Sequence, residues 1–226
     1  MNFTGERVVP EKTPQRIYDD HVARYRFASN YVVDKVVLDA ACGTGYGTVI
    51  LKNAGAKRVV GLDISVETIN HALQTYKIPG VIFKSEELGE VSLPEEDYDV
   101  VVSFETIEHV SDPERTLESF SKCLRPGGLL IISSPNRIIT SPGYCPGKGH
   151  PLNKFHLVEY SVSEFHDLLN RYFRTVCLYG QRNSFLAAGA NCNRILSVIT
   201  SATFGSKVQH IPWLCQPRYI TAVCTK

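Results

Sequence analysis

Val36-Val37-Leu38-Asp39-Ala40-Ala41-Cys42-Gly43-Thr44-Gly45-Tyr46-Gly47 is a short apolar run that ends in a carboxylate and breaks into three alternating glycines. An apolar run of this length, closed by turn residues, reads as a buried strand. Glycines there let the backbone turn tightly and approach a ligand with no side chain in between. A strand passing through such a loop into a helix is a nucleotide site. The spacing departs from the dinucleotide fingerprint G-x-G-x-x-G, because counting from Gly43 its last glycine would fall at Thr48. The next strand, Arg58-Val59-Val60-Gly61-Leu62-Asp63, ends in an acid placed to accept hydrogen bonds from two ribose hydroxyls.

Outward from this stretch, strands alternate with helices: strand 36–39, helix 45–54, strand 58–63, helix 65–76, strands 80–84 and 98–104, helix 112–124 and strand 128–134. That alternation is the βαβ signature of a parallel sheet. Ahead of it, Gln15 to Tyr31 has apolar residues at three- and four-residue spacing, an amphipathic helix expected to lie over the sheet's edge within an N-terminal cap of about residues 1–33. Asp112-Pro113 reads as an N-cap followed by proline at the first helical position, and Pro126-Gly127 as a type II turn. Residues 134–157 are rich in Pro, Gly, Asn and His, a long loop of the kind that carries function. A helix at 161–171, a strand at 173–179, an insertion at 181–216 with a helix near 185–203, and a strand at 218–224 complete the order.

The 226 residues, 43% of them hydrophobic, suffice for one core, so a single domain with insertions at about 137–158 and 181–216 is expected. With 24 Lys and Arg against 23 Asp and Glu, the chain has no basic field to hold nucleic acid or an anionic membrane. Its seven cysteines include no C-x-x-C pair, so neither a disulfide framework nor a zinc site is indicated. No leader-like segment opens the sequence, and a reduced, cytoplasmic setting follows as an expectation.

Four motifs in order carry a resemblance: Asp39-Ala-Ala-Cys-Gly43-Thr-Gly45-Tyr-Gly47, Gly61-Leu-Asp63-Ile-Ser65, Tyr98 through His109-Val110, and Leu124-Arg-Pro-Gly-Gly128. Together they resemble class I S-adenosylmethionine-dependent methyltransferases, over about residues 15–180. Phe3 to Pro10, His21 to Ala28, Ser134-Pro135-Asn136 and Asn153 to Glu159 are similar to bacterial methyltransferases of polysaccharide and glycosylated natural-product pathways. The resemblance implies a Rossmann-like α/β fold, with a seven-stranded, mainly parallel sheet whose last strand is antiparallel and helices on both faces. It also implies S-adenosylmethionine as cofactor and a small-molecule acceptor, a sugar or glycan precursor among the candidates; a homodimer is compatible with it.

On that footing Asp63 takes the ribose, Ile64 covers adenine, and Ser85 and Glu86 reach its exocyclic amine. Gly43 and Gly45 bring backbone against the methionine part, with Asp39 near its ammonium. Tyr25 or Arg24 closes that end, and Phe104 ends the fourth strand where ligands of open α/β sheets sit.

Methyl transfer asks the protein to align three atoms and exclude water, and an alcohol acceptor must also lose a proton. His109 is the candidate base, with His150 and His156 in the long loop bordering the acceptor. Histidines 21, 71, 166 and 210 read as surface or packing residues, and no Asp, Glu and His cluster stands out as a metal site. A quinone-like phenol, a carboxylate and a sugar amine are the alternative acceptors. A catalytically silent cofactor-binding module is the alternative of a different class.

Overall fold

The structure, a computed structural model, describes residues 7–89, 93–185 and 215–226. Its sheet contains β1 (Val36–Ala40), β2 (Arg58–Asp63), β3 (Val81–Ser85), β4 (Tyr98–Phe104), β5 (Leu124–Pro135), β6 (Thr175–Phe185) and β7 (Cys215–Thr225). They lie in the order β3-β2-β1-β4-β5-β7-β6. β1 pairs in parallel with β2 and β4, and β7 runs antiparallel to both β5 and β6. The expected seven-stranded sheet with its antiparallel last strand is therefore present. β1 is buried along its whole length, which is why its sequence is a continuous apolar run rather than an alternating one.

The helices are α1 (Gln15–Ala28), α2 (Tyr46–Asn53), α3 (Val66–Thr75), α4 (Pro113–Cys123), α5 (Arg137–Thr140) and α6 (Val162–Leu169). Their starts follow from local chemistry. Ser65 accepts from the Thr68 amide, and Asp112 accepts from the Arg115 amide with proline at the first turn. Ser161 and Glu164 form a reciprocal capping box. The Pro126-Gly127 turn is present, with Gly127 in the left-handed region at φ 75°.

One placement differs from expectation. α1 lies over the middle of the sheet: Tyr25 and Ala28 share a core with Val37 of β1 and Val100, Val102 and Phe104 of β4. Tyr25 and Phe104 meet edge to face at 5.1 Å, and burying the apolar side of α1 against side chains of both strands favours this placement. β6 and β7 are also longer than the apolar runs suggested, because they pair with each other from Thr175 opposite Thr225 to Phe185 opposite Cys215. The helix expected near 185–203 lies outside the described residues, except for Phe185, which ends β6.

Strand order reverses between β1 and β4, and ligands of open α/β sheets sit at the carboxyl ends of the strands at such a point. β1 runs out into Ala41 and β4 into Glu105, both non-glycine residues in the left-handed region at φ 62° and 51°. Such backbone costs on the order of 1–3 kcal/mol and gathers at functional sites.

Candidate active site

The glycine loop is held from below. Asp39, fully buried, accepts from the Tyr25 hydroxyl at 3.0 Å and from the Thr48 hydroxyl at 2.6 Å. Burial raises its pKa, those two hydrogen bonds pull it back and the Asp63 charge raises it again, leaving it at about 7. Gly47 is a requirement of this arrangement, because a Cβ there would stand 2.0 Å from the Tyr25 ring. Gly45, at φ 85°, is turned against Phe83, 2.8 Å from where its Cβ would be. Gly43, at φ 56°, has nothing within 4 Å of that position and borders a cavity of about 170 Å³.

These neighbours sort the expected cofactor residues. Tyr25, Gly43, Asp63, Ile64 and Phe104 all line the 170 Å³ cavity. Asp39 and Gly45 lie beneath the loop instead: the Asp39 oxygens are occupied by Tyr25 and Thr48, and Gly45 by Phe83. Asp63 accepts the Gly43 amide on Oδ2 at 3.0 Å and the Ser65 amide on Oδ1 at 2.9 Å, so it ties the glycine loop to the start of α3. Each carboxylate oxygen has two acceptor positions, so this anchoring leaves capacity for ribose hydroxyls. Ile64, 61% exposed beside it, offers an apolar face for a base. The Ser85 hydroxyl donates to the Ile64 carbonyl, and neither Ser85 nor Glu86 lines a described cavity. Glu87, Leu88 and Gly89 form that wall, in an adjoining cavity of about 290 Å³. An open cradle over Gly43, a carboxylate at the end of β2 and an exposed apolar side chain next to it fit an adenosine with an amino-acid tail.

A third cavity, of about 240 Å³, adjoins the first across Arg7, Val8, His21, Glu105 and His109. Its far wall comes from the long loop and β7, through Thr140, Asn153, His156, Glu159, Arg218 and Tyr219. His109 lines all three hollows. The loop is stitched to the β4–α4 connection here: His109 Nδ1 bonds the Phe155 carbonyl at 2.8 Å, and the Leu157 amide donates to the Glu108 carbonyl at 2.8 Å. His156 Nδ1 bonds Glu159 Oε1 at 2.6 Å, and its Nε2 faces the Asn153 amide at 2.8 Å. Burial alone would raise the Glu159 pKa, but hydrogen bonds from His156 and Thr140 hold it below the ordinary carboxylate range. Glu105 takes the Ser133 hydroxyl on Oε1 at 2.7 Å. Glu108 is fully buried and neither carboxylate oxygen has a hydrogen-bond partner; burial, then the neighbouring Glu105 charge, push its pKa well up.

Of the loop histidines, His156 reaches the cavities and His150 is exposed away from them. His21, read as a packing residue, lines two of them, and burial followed by the Arg24 guanidinium drives its pKa well down. A recurrence at helical spacing gives no hint of this, since His21 enters the site through the placement of α1. Arg24 itself is fully buried, stacked over Tyr219 at 4.9 Å and donating to Gln181 at 2.7 Å, on β6 rather than at the glycine loop. A larger hollow of about 660 Å³ lies beside α6 and includes none of these residues.

Residues 38–132 match the family model of a methyltransferase domain. A probable S-adenosylmethionine-dependent methyltransferase of Mycolicibacterium smegmatis is 36% identical over 170 residues, 75% of this chain and 63% of that protein. A ubiquinone biosynthesis O-methyltransferase of Aliivibrio fischeri is 38% identical over 118 residues, 50% of this chain and 49% of that protein. The chain thus spans less than two thirds of the length of these relatives. The crystal structure of an S-adenosylmethionine-dependent methyltransferase from Mesorhizobium loti shares the fold, with a TM-score of 0.63 over 92% of this chain and 98% of that one at 18% identity. Among the described residues no helix is long and apolar enough to cross a membrane.

Proposed function

We propose that this chain, a class I S-adenosylmethionine-dependent methyltransferase domain, methylates a hydroxyl of a sugar or glycosylated small molecule. The observation that carries the reading is the 240 Å³ cavity next to the glycine loop, whose lining of carboxylates, imidazoles, Asn153 and Arg218 matches a hydroxyl-rich acceptor. A prenylated quinone would need an apolar trough in the same place.

The cofactor supplies a methyl group on a positively charged sulfur. The rest falls to the chain. Asp63 and Ile64 hold the adenosine end, with Glu87 to Gly89 taking the base-side role first assigned to Ser85 and Glu86. Gly43 leaves room for the amino-acid tail, and Asp39 acts on that tail through Tyr25, keeping the loop in shape. Phe104 and Tyr25 close the cavity floor and exclude water. His109, at the junction of the cofactor and acceptor hollows, activates the acceptor hydroxyl. Alignment of this kind supplies about 7–11 kcal/mol in favourable cases.

The test is incubation of the protein and S-adenosylmethionine with a panel of nucleotide sugars, glycosides and catechols, followed by mass spectrometry. A gain of one methyl on a sugar hydroxyl is the expected result. Methylation of the catechols with none of the sugars would overturn the acceptor class. Cofactor binding without transfer to any acceptor, under conditions that support a related enzyme, would favour a silent binding module.

A further inference from the structure

Glu108, His109 and His156 come together from the β4–α4 connection and the long loop: one ligand atom from each lies within 4.8 Å of the other two. Among the described residues this is the group of His, Cys, Asp and Glu side chains close enough to hold a metal ion. No local pattern announces it, because 47 positions separate His109 from His156 and no short spacing motif links them. The rings of His109 and His156 meet edge to face at 4.8 Å.

We propose that Glu108, His109 and His156 bind a divalent transition-metal ion, zinc in the first instance, at the border of the acceptor cavity. Two imidazoles and one carboxylate with a remaining coordination position open to a small molecule are a recognised catalytic zinc set. Imidazole donors also favour zinc, cobalt and nickel over magnesium and calcium.

Three features support the assignment independently. First, Glu108 is fully buried with both carboxylate oxygens unpartnered, a costly arrangement that an ion would resolve. Second, each histidine is oriented as a metal ligand usually is, with its other nitrogen on a fixed acceptor. His109 Nδ1 bonds the Phe155 carbonyl and His156 Nδ1 bonds the Glu159 carboxylate, which puts the lone pair of each neutral ring on Nε2. Third, the Asn153 amide, a donor, stands 2.8 Å from His156 Nε2, the place that a cation would take. Ligand atoms around zinc stand about 3.4 Å apart, so the widest gap must close by roughly 1.4 Å as Asn153 swings aside. Arg7 and Arg218 also line the cavity and oppose a cation, while Glu105 and Glu159 join Glu108 in favouring one.

The site deepens the reading of this cavity as the acceptor side, on which it rests. With Nε2 on the ion, His109 would activate the acceptor hydroxyl through the metal rather than as a free base: a hydroxyl in the open position would ionise more easily, its proton passing to water. Its oxygen lone pair would then form the new oxygen–carbon bond as the carbon–sulfur bond breaks and its electrons return to sulfur.

Metal-free protein should be titrated with zinc chloride by calorimetry, and with cobalt chloride by visible absorption, in the absence of acceptor. The expected result is one saturable site, a cobalt spectrum without a thiolate charge-transfer band, and weakening of at least about tenfold in Glu108→Gln and His156→Ala. Glu159→Gln, which removes the partner of His156, should weaken zinc by about 10–100-fold. Unchanged affinity for S-adenosylhomocysteine certifies that each variant is folded. Absence of a saturable site, or a site equally strong in a His109→Ala/His156→Ala double variant, would overturn the proposal. So would methyl transfer at full rate in chelator-treated, metal-free protein, which leaves the acceptor reading intact. Zinc binding by this site without transfer to any sugar would instead overturn the acceptor reading and keep the metal site.

Discussion

Replacing Asp63 by alanine separates the two jobs of this carboxylate. It holds the Gly43 and Ser65 amides at 3.0 and 2.9 Å, and it faces the cofactor cavity. Hydrogen bonds to a charged group are worth roughly 1.5–3 kcal/mol each, so two lost ribose bonds cost about 3–6 kcal/mol. At about 1.4 kcal/mol per tenfold, cofactor affinity should fall by about 10²–10⁴. Loop relaxation after loss of the two amide bonds would weaken binding as well, so the single variant is ambiguous. A double-mutant cycle resolves it: calorimetry of S-adenosylhomocysteine and its 2′-deoxy analogue on both proteins. The wild type should discriminate against the analogue by at least about tenfold, and Asp63→Ala should bind the two almost equally. If the variant discriminates as strongly as the wild type, Asp63 does not hold the ribose and acts on the loop alone.

Gly47→Ala should destabilise the protein by about 1–3 kcal/mol by pushing Tyr25 off the loop, read as a lowered Tm. Gly43→Ala should cost less than that in stability, about 1–2 kcal/mol of left-handed strain, yet weaken S-adenosylhomocysteine more than Gly47→Ala does in proportion to its stability loss. Asp39, at about 7 in the folded state against an ordinary value near 3.9, binds more protons folded than unfolded between those limits. Its contribution therefore weakens stability as pH rises from about 4 to 7; Asp39→Asn should flatten that slope in denaturant titrations, and a slope left unchanged would refute the assignment. His109→Ala should keep cofactor affinity and lower kcat by about 10²–10⁴-fold, whereas near-normal turnover at saturating acceptor would remove it from the chemistry.

The parts of the site that were legible in the sequence are those set by strand ends. Asp63 and Phe104 could be placed because each closes an apolar run, and the carboxyl end of a strand in such a sheet faces the crevice. Gly43 was legible for a related reason, being a loop position next to a strand. Gly45 and Asp39 have the same local signature, yet they turned inward, because Phe83, Tyr25 and Thr48 reach them from elsewhere in the chain. Ser85 and Glu86 missed the cavity by one or two positions, since the Ser85 hydroxyl is spent on the Ile64 carbonyl and the chain enters the wall at Glu87. His156 was legible only as a histidine of the long loop bordering the acceptor, whereas His21 and Glu159 depend on how α1 and that loop dock, a matter of tertiary packing that no local pattern encodes.

The contact of Tyr25 with Gly47 and Asp39 has a consequence for where this domain can be cut. The family match begins at residue 38, ten positions after α1 ends at Ala28, so the helix that wedges the glycine loop lies upstream of the matched region. A fragment trimmed to the match would keep every glycine of the motif, and with Tyr25 gone it would open a void against Gly47 and strip one donor from a buried carboxylate. The helix thus shapes the glycine loop from a separate segment, so the form of the loop in this chain depends on residues that lie outside the motif itself.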